Sequence, residues 1–340
     1  AASLELIRAL TDAGMRVTAF DPVAAGRARV RLAGNALVQI CEHQYDALEG
    51  ADALAVVTDW NQFRNPDFGR IRKLLKIPAI FDGRNLYDAE LVAGMGFDYL
   101  ELAMDAPMAH HSIIAADKTA IIHALKANGL GLVCHMPTFV STADLTESLR
   151  LASVTEMHRS LEVAFELGAT KIVLHPSMAA GLGPYVGDRI KAYAHDFLAE
   201  MVEAAQQMRL TLCLENMFPR YMLGVQPADF EELFTSFPSL KLVLDTGHAH
   251  IDDRGEGRMT QLVEQFGDRI AHLHFSDNNG RRDEHLAVGQ GTVDFAGLVR
   301  QLQALGYDDT ITLEVFGENR QLLVDSRDKL KAMFAGNDRP

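Results

Sequence analysis

The chain reads as an eight-stranded parallel α/β barrel preceded by a small doubly wound α/β lobe. Three observations predict this. Short apolar runs alternate with helical patterns along most of the 340 residues, the signature of parallel sheets. Counting from IPAIFDGRN, residues 77–85, eight such runs follow one another, and residues 77–340 come close to the ~250 typical of an eight-fold barrel. Six consecutive runs also end in histidines or carboxylates, at the strand end where such barrels place their chemistry.

The lobe comes first. Residues 3–13, SLELIRALTDA, space their apolar side chains as a helix does, with Gly14 as the stop and MRVTAF as the following strand, which Asp21-Pro22 ends. A helical VAAGRARVRLAG, a strand ALVQIC, a short helix around YDALEGA, a strand ALAVVT and a helix PDFGRIRKLLK continue the alternation. Sheets of this kind bind ligands beyond the carboxyl ends of their strands, here Asp21-Pro22, Thr58-Asp59-Trp60 and Asp82-Gly83-Arg84-Asn85. IPAIFDGRN and the helix LYDAELVAGM are assigned to the barrel as its first βα unit. Without them it would have seven strands and a bare edge, which parallel sheets rarely leave. The expected domains are therefore 1–76 and 77–340.

The barrel strands continue as FDYLELA, LGLVCHMP, ATKIVLHPS, RLTLCLEN, KLVLDTGHAH, RIAHLHFSD and DTITLEVF, most of them followed by helical patterns. Apolar residues at 48% and charged residues at 23% are ordinary for a globular protein. A net charge of −14 argues against nucleic acid as a partner, because phosphate contacts need clustered Lys and Arg. Cys41, Cys134 and Cys213 are odd in number and far apart, which predicts buried free thiols. The chain has no apolar run of membrane-spanning length and opens with AASLELIRAL, without a signal-like segment. A cytoplasmic protein is expected, cut at its start.

Strand ends carry the chemistry. They supply His135 (VCHMP), His175 (VLHPS), Glu215 (CLEN), Asp245 and His248 (LDTGH), His274 (HLHFSD) and Glu314 (TLEVF), and the loop after His274 adds Asp283 and His285. All are nitrogen or oxygen donors suited to a divalent metal, Mn, Mg, Co or Zn, and none is a thiolate. A lone histidine beside an apolar strand is more often an ordinary core or surface residue. An unpaired buried carboxylate is costly, however, and a parallel barrel brings all its strand ends to one mouth. Weaker candidates are Glu101, expected to line the mouth, His272, expected to be structural, and the pair His110-His111, expected in a solvated loop.

Two resemblances sharpen these expectations. LELIRAL with FDPVA, YDALEGADALAVVTDWNQFRNPDF and IPAIFDGRNLYD resemble the C-terminal UDP-binding domain of the UDP-glucose/GDP-mannose dehydrogenase family over roughly residues 3–99. This implies a Rossmann-like lobe, and an incomplete one. The family's dinucleotide-binding domain, catalytic cysteine and the first strand of this domain would lie before Ala1, and no G-x-G-x-x-G occurs. Dehydrogenase activity is therefore not expected. Arg84 matches the family's nucleotide-contacting arginine, but a structural remnant is the plainer reading. From Phe97 onward the chain resembles the xylose-isomerase-like TIM-barrel superfamily, the sugar phosphate isomerase/epimerase and endonuclease IV group, which makes it a fusion.

Relatives of endonuclease IV hold three zinc ions, and the resemblance supplies a matching residue type at each ligand position: His135, His175, Glu215, Asp245, His248, His274, Asp283, His285 and Glu314. The isomerase and epimerase branch implies one divalent metal on Glu215, Asp245, His274 and Glu314. DEHLAVGQGTVDF and GLGLVCHMP look more like that branch. The expected function is metal-dependent isomerisation or epimerisation of a sugar or sugar phosphate. Glu215 and Glu314 would move the proton, His248 would steady a substrate oxygen or a second metal, and His135, His175 and His285 would contact substrate. The alternatives are a zinc phosphodiesterase acting on abasic DNA and a nucleotide-sugar-binding fusion. Whether the chain forms a homo-oligomer is left open.

Overall fold

Two units, Ala1–Leu91 and Val92–Pro340, divide the chain. The structure is a computed structural model, and it describes residues 2–12, 14–52, 54–56, 70, 74, 80–82, 94–106, 109–178, 181–221, 223–253, 255, 257–316 and 319–336. Its first unit contains α1 (Ala2–Asp12), β1 (Val17–Ala19), α2 (Ala25–Arg31), β2 (Val38–Ile40), β3 (Leu54–Val56) and β4 (Ile80–Asp82). Asp21 turns the chain out of β1, its Oδ1 accepting from the N–H groups of Val23 and Ala24 at 2.8 and 2.6 Å. β1 pairs with β2 and β3 with β4, both parallel, in two separate sheets.

That pairing corrects the expected boundary. β4 is the core of IPAIFDGRN, and it runs in register with β3, Leu54 opposite Ile80 and Val56 opposite Asp82. The described part of the segment therefore pairs within the lobe and does not supply the first strand of the barrel. Thr58-Asp59-Trp60 and Arg84 lie outside the described residues, as does the helix expected over LYDAELVAGM up to Ala93.

The second unit opens with β5 (Tyr99–Ala103), α3 (His111–Ala127), β6 (Gly131–His135), α4 (Glu147–Leu167), β7 (Lys171–Leu174) and α5 (Gly187–Gln207). β8 (Thr211–Glu215), α6 (Pro227–Ser236), β9 (Lys241–Asp245), α7 (Thr246–His250) and α8 (Arg258–Phe266) follow. β10 (Ile270–Phe275), α9 (Phe295–Leu305), β11 (Thr310–Leu313) and α10 (Gln321–Phe334) complete it. β5 to β11 form one parallel sheet in sequence order, a nearly closed barrel of seven strands among the described residues. Side chains bridge the two edge strands where the expected eighth would stand. Thr312 of β11 donates from Oγ1 to Glu101 Oε2 of β5 at 2.6 Å, and Tyr99 Oη lies 3.3 Å from the same hydroxyl.

Period-two geometry turns this sheet into layers. Val133, Val173, Cys213, Val243 and Ala271, with Tyr99 against them, fill the interior with an apolar layer. Two positions further along, on the same side of their strands, stand His135, His175, Glu215 and Asp245. The apolar layer is thus a floor, and the next layer toward the strand ends is made of metal-ligating residue types. Cys41, Cys134 and Cys213 are buried free thiols, as expected.

Candidate metal and proton-transfer site

Backbone and neighbouring groups fix which nitrogen four of the imidazoles turn to the mouth. His135 donates from Nδ1 to the Met136 carbonyl at 2.8 Å, leaving Nε2 3.3 Å from Glu215 Oε2. His248 Nδ1 lies 3.0 Å from the Asn216 carbonyl oxygen, and its Nε2 faces Asp283 Oδ2 at 3.3 Å. His285 Nδ1 lies 3.1 Å from the Glu314 carbonyl oxygen, and its Nε2 stands 3.0 Å from the same Asp283 oxygen. His274 is turned the other way, with Nε2 3.1 and 3.2 Å from the Glu101 oxygens and Nδ1 toward the mouth. A hydrogen bond at one ring nitrogen sets the tautomer and frees the other to bind.

Glu215 is the hub. Its side chain is 1% exposed, with Oε2 3.0 Å from His175 Nε2 and Oε1 3.1 Å from His248 Nδ1 and 3.4 Å from His274 Nδ1. Burial alone would raise its carboxyl; the His274 and His175 imidazoles outweigh that and hold it well below the usual carboxylate range. Asp245 is pushed upward by burial and by the Glu215 and Glu314 charges, against the pull of His248 and His274. Burial lowers His274, but Glu101, Glu314 and Glu215 reverse that and raise it well above its ordinary value. His135 is raised to about 9, Glu215 overcoming its burial.

Several polar atoms in the mouth have no hydrogen-bond partner: His175 Nδ1, Asp245 Oδ2, His274 Nδ1 and Asp283 Oδ1 are all buried. Such orphans are costly. His274 Nδ1 stands 3.2 Å from Glu314 Oε1, 3.4 Å from Glu215 Oε1 and 3.8 Å from Asp245 Oδ2, close to three carboxylates and hydrogen-bonded to none. Ligand atoms of Glu215, Asp245 and His274 lie within 4.8 Å of one another, as do those of His135, His175 and Glu215. A divalent cation fits such a donor set, since it is the group that carboxylates and an imidazole lone pair can share.

Residues 89–333 match the family described as xylose isomerase-like TIM barrel. The chain belongs to that family. Residues 1–89 match the UDP-binding domain of the UDP-glucose/GDP-mannose dehydrogenase family, so β4 falls within that match. UDP-glucose 6-dehydrogenase of Pseudomonas aeruginosa is 48% identical over 102 residues, 29% of this chain and 22% of that enzyme. A D-tagatose 3-epimerase-like protein superposes with a TM-score of 0.65 at 27% identity, covering 73% of this chain and 92% of the other. The IolI protein, in a structure with a bound zinc atom, superposes with a TM-score of 0.59 at 19% identity over 74% of this chain and 93% of its own, a likeness of fold.

Within this xylose isomerase-like barrel, the structure brings all nine strand-end and loop candidates to one mouth, linked by the contacts above. Three structural features hold them. Asp245 caps α7, its Oδ1 accepting from His248 N–H at 2.5 Å, which leaves Oδ2 bare. Gly247 lets α7 press on the end of β10, because a Cβ there would meet Ser276 Oγ at 2.5 Å. The loop carrying Asp283 and His285 is pinned by Asp277. This fully buried carboxylate accepts from the N–H groups of Asn278, Gly289, Gly291 and Val293 at 2.8–3.1 Å.

Glu101 does more than line the mouth. Glu101 accepts from Thr312 and faces both His272 Nε2 at 2.9 Å and His274 Nε2, so it orients a proposed ligand from behind. His272 is buried there and supports Glu101, in keeping with the structural role expected. Two histidines spaced i and i+2 on β10 were the available signal, since a shared partner has to lie on the same side of the sheet. His110 and His111 stand apart from the mouth set: they form the N-cap and first turn of α3, where a loop was expected.

Proposed function

We propose that the barrel is a metal-dependent sugar or sugar-phosphate epimerase or isomerase, working by proton transfer at the carbon beside a carbonyl. The observation that carries this reading is the placement of two glutamates about one imidazole. Oε1 of Glu215 and Oε1 of Glu314 lie 3.4 and 3.2 Å from His274 Nδ1; Glu215 is buried and Glu314 is 20% exposed. Glu215, Asp245, His274 and Glu314 would hold Mn, Mg, Co or Zn, which when bound supplies Lewis-acid polarisation of the carbonyl.

The chain's own residues do the rest. One glutamate removes the proton from the carbon and the other returns it; return to the opposite face inverts that centre, and return to the carbonyl carbon, with the hydroxyl proton passing to the former carbonyl oxygen, isomerises the sugar. The imidazoles around Glu215 keep it ionised, the form in which a carboxylate can accept a proton. His135, His175 and His285 present nitrogens to substrate hydroxyls, and His248 steadies a substrate oxygen. Phe316, stacked on His285 at 4.0 Å, and Phe218, 5.2 Å from His248, offer apolar walls to the C–H face of a sugar ring. The epimerase-like structural neighbour and the carboxylate-rich mouth support this reading.

A second reading, a zinc phosphodiesterase on abasic DNA, draws on one observation: His248, Asp283 and His285 form a third group of donors, with Asp283 Oδ2 3.3 and 3.0 Å from the two Nε2 atoms. The net charge of −14 weighs against it. The test is incubation of the metal-supplemented protein with free ketoses, phosphorylated ketoses and UDP-sugars, read by NMR, beside an oligonucleotide with one abasic site. Interconversion of a sugar supports the proposal. Strand cleavage without sugar turnover overturns it.

A further inference from the structure

His110, His111 and Glu156 take no part in the chemistry proposed for the mouth. The first two open α3 and the third lies in the middle of α4, yet their polar atoms converge. His110 Nε2 stands 3.1 Å and His111 Nε2 2.7 Å from the same carboxylate oxygen, Glu156 Oε2. The ring centroids are 4.0 Å apart. We propose that these three side chains form a second divalent-metal site, for zinc or a borderline ion of its class such as cobalt or nickel, which ties α3 to α4.

The geometry points to a cation because three donors of the right kind already have the spacing of a coordination shell. Their ligand atoms all lie within 4.8 Å of one another. Adjacent ligands of a tetrahedral zinc, bonded at 2.0–2.2 Å, are about 3.3 Å apart, so little movement is needed to admit the ion. Two imidazoles and one carboxylate are a known zinc donor set, with the fourth position left to water or a further ligand. Entry is open: the side chains of His110, His111 and Glu156 are 36%, 11% and 34% exposed.

The surroundings prepare the donors. His110 Nδ1 lies 2.8 Å from Ser112 Oγ and caps α3 by accepting from Ser112 N–H at 3.4 Å; when Nε2 ligates, Nδ1 carries the proton and donates to the hydroxyl in place of that long cap bond. Arg159 reaches the other Glu156 oxygen, Oε1, at 3.7 Å, which leaves Oε2 to the two rings. Burial would raise the Glu156 carboxyl, and hydrogen bonds from His111 and His110 together more than reverse it. The His158–Glu200 pair, which also starts from α4, shows the contrast: one imidazole meets one carboxylate at 3.4 Å, with no second ring among the described residues.

The test is metal content after dialysis against micromolar zinc, then against metal-free buffer, for the parent and for His110→Ala/His111→Ala. The parent is expected to retain one more zinc per chain than the double variant, and Glu156→Gln is expected to weaken that extra zinc at least tenfold. Whatever the mouth binds is common to all three proteins, so failure of the mouth reading moves their shared baseline and leaves the difference intact. Equal zinc content in parent and double variant overturns the proposal. If the double variant does not fold, Glu156→Gln carries the comparison, and an unchanged affinity there overturns it equally.

Discussion

At the scale of single residues, two buried ring nitrogens in the mouth, His175 Nδ1 and His274 Nδ1, have no hydrogen-bond partner, while the other imidazoles are held on both sides. Four of the imidazoles take their orientation from a partner behind the ring, and Glu101 is the one charged partner among those. Burial would raise Glu101, but His274 and His272 hold it well below the usual carboxylate range, so it accepts as an anion. Glu101→Gln keeps the shape and removes the charge, and its amide offers a donor where His274 Nε2–H needs an acceptor. Metal affinity at the mouth is expected to fall about 10–100-fold, with folding retained. A zinc titration of the folded variant checks this; unchanged affinity would mean that His274 needs no support from behind.

At the scale of elements, one carboxylate organises the loop that follows β10. Asp277 also pairs through its backbone with Leu286, N–H to carbonyl in both directions at 2.9 Å. Gly291 comes so near that an added Cβ would lie 2.4 Å from the Asn278 carbonyl oxygen. Asp277→Ala strips the acceptor from four N–H groups, those of Asn278 and Val293 in a buried setting. It is expected to cost at least about 3 kcal/mol, since each unsatisfied buried donor costs about 1–3 kcal/mol. Denaturant unfolding measures the loss. A cost below about 1 kcal/mol would show that water replaces the carboxylate and that the loop is held by other contacts.

At the scale of the whole molecule, the sequence revealed the mouth more clearly than the seams. His135, His175, Glu215 and Asp245 were legible because each stands at the end of an apolar strand, and a parallel barrel converges those ends whatever the loops do. Glu101 was legible only as a residue lining the mouth. Its partners His272, His274 and Thr312 belong to strands far along the chain, and only closure of β5 toward β11 brings them together. The assignment of Ile80–Asp82 to the barrel failed for a related reason: a three-residue apolar strand carries no mark of its neighbour, and β3 decides the pairing. Asp277 was legible as a turn residue and no more, since its acceptor role depends on the path of residues 278–293.

Proton transfer by Glu215 and Glu314 on a sugar held in this mouth is tested most directly by solvent isotope exchange. Parent protein with saturating metal, incubated in D2O with the sugar it interconverts, is expected to place deuterium at the carbon beside the carbonyl. Glu314→Gln, likewise saturated, is expected to do so roughly 10²–10⁴-fold more slowly. Excess metal should restore occupancy in the variant without restoring exchange. Exchange at the parent rate in metal-saturated Glu314→Gln would contradict the two-glutamate account.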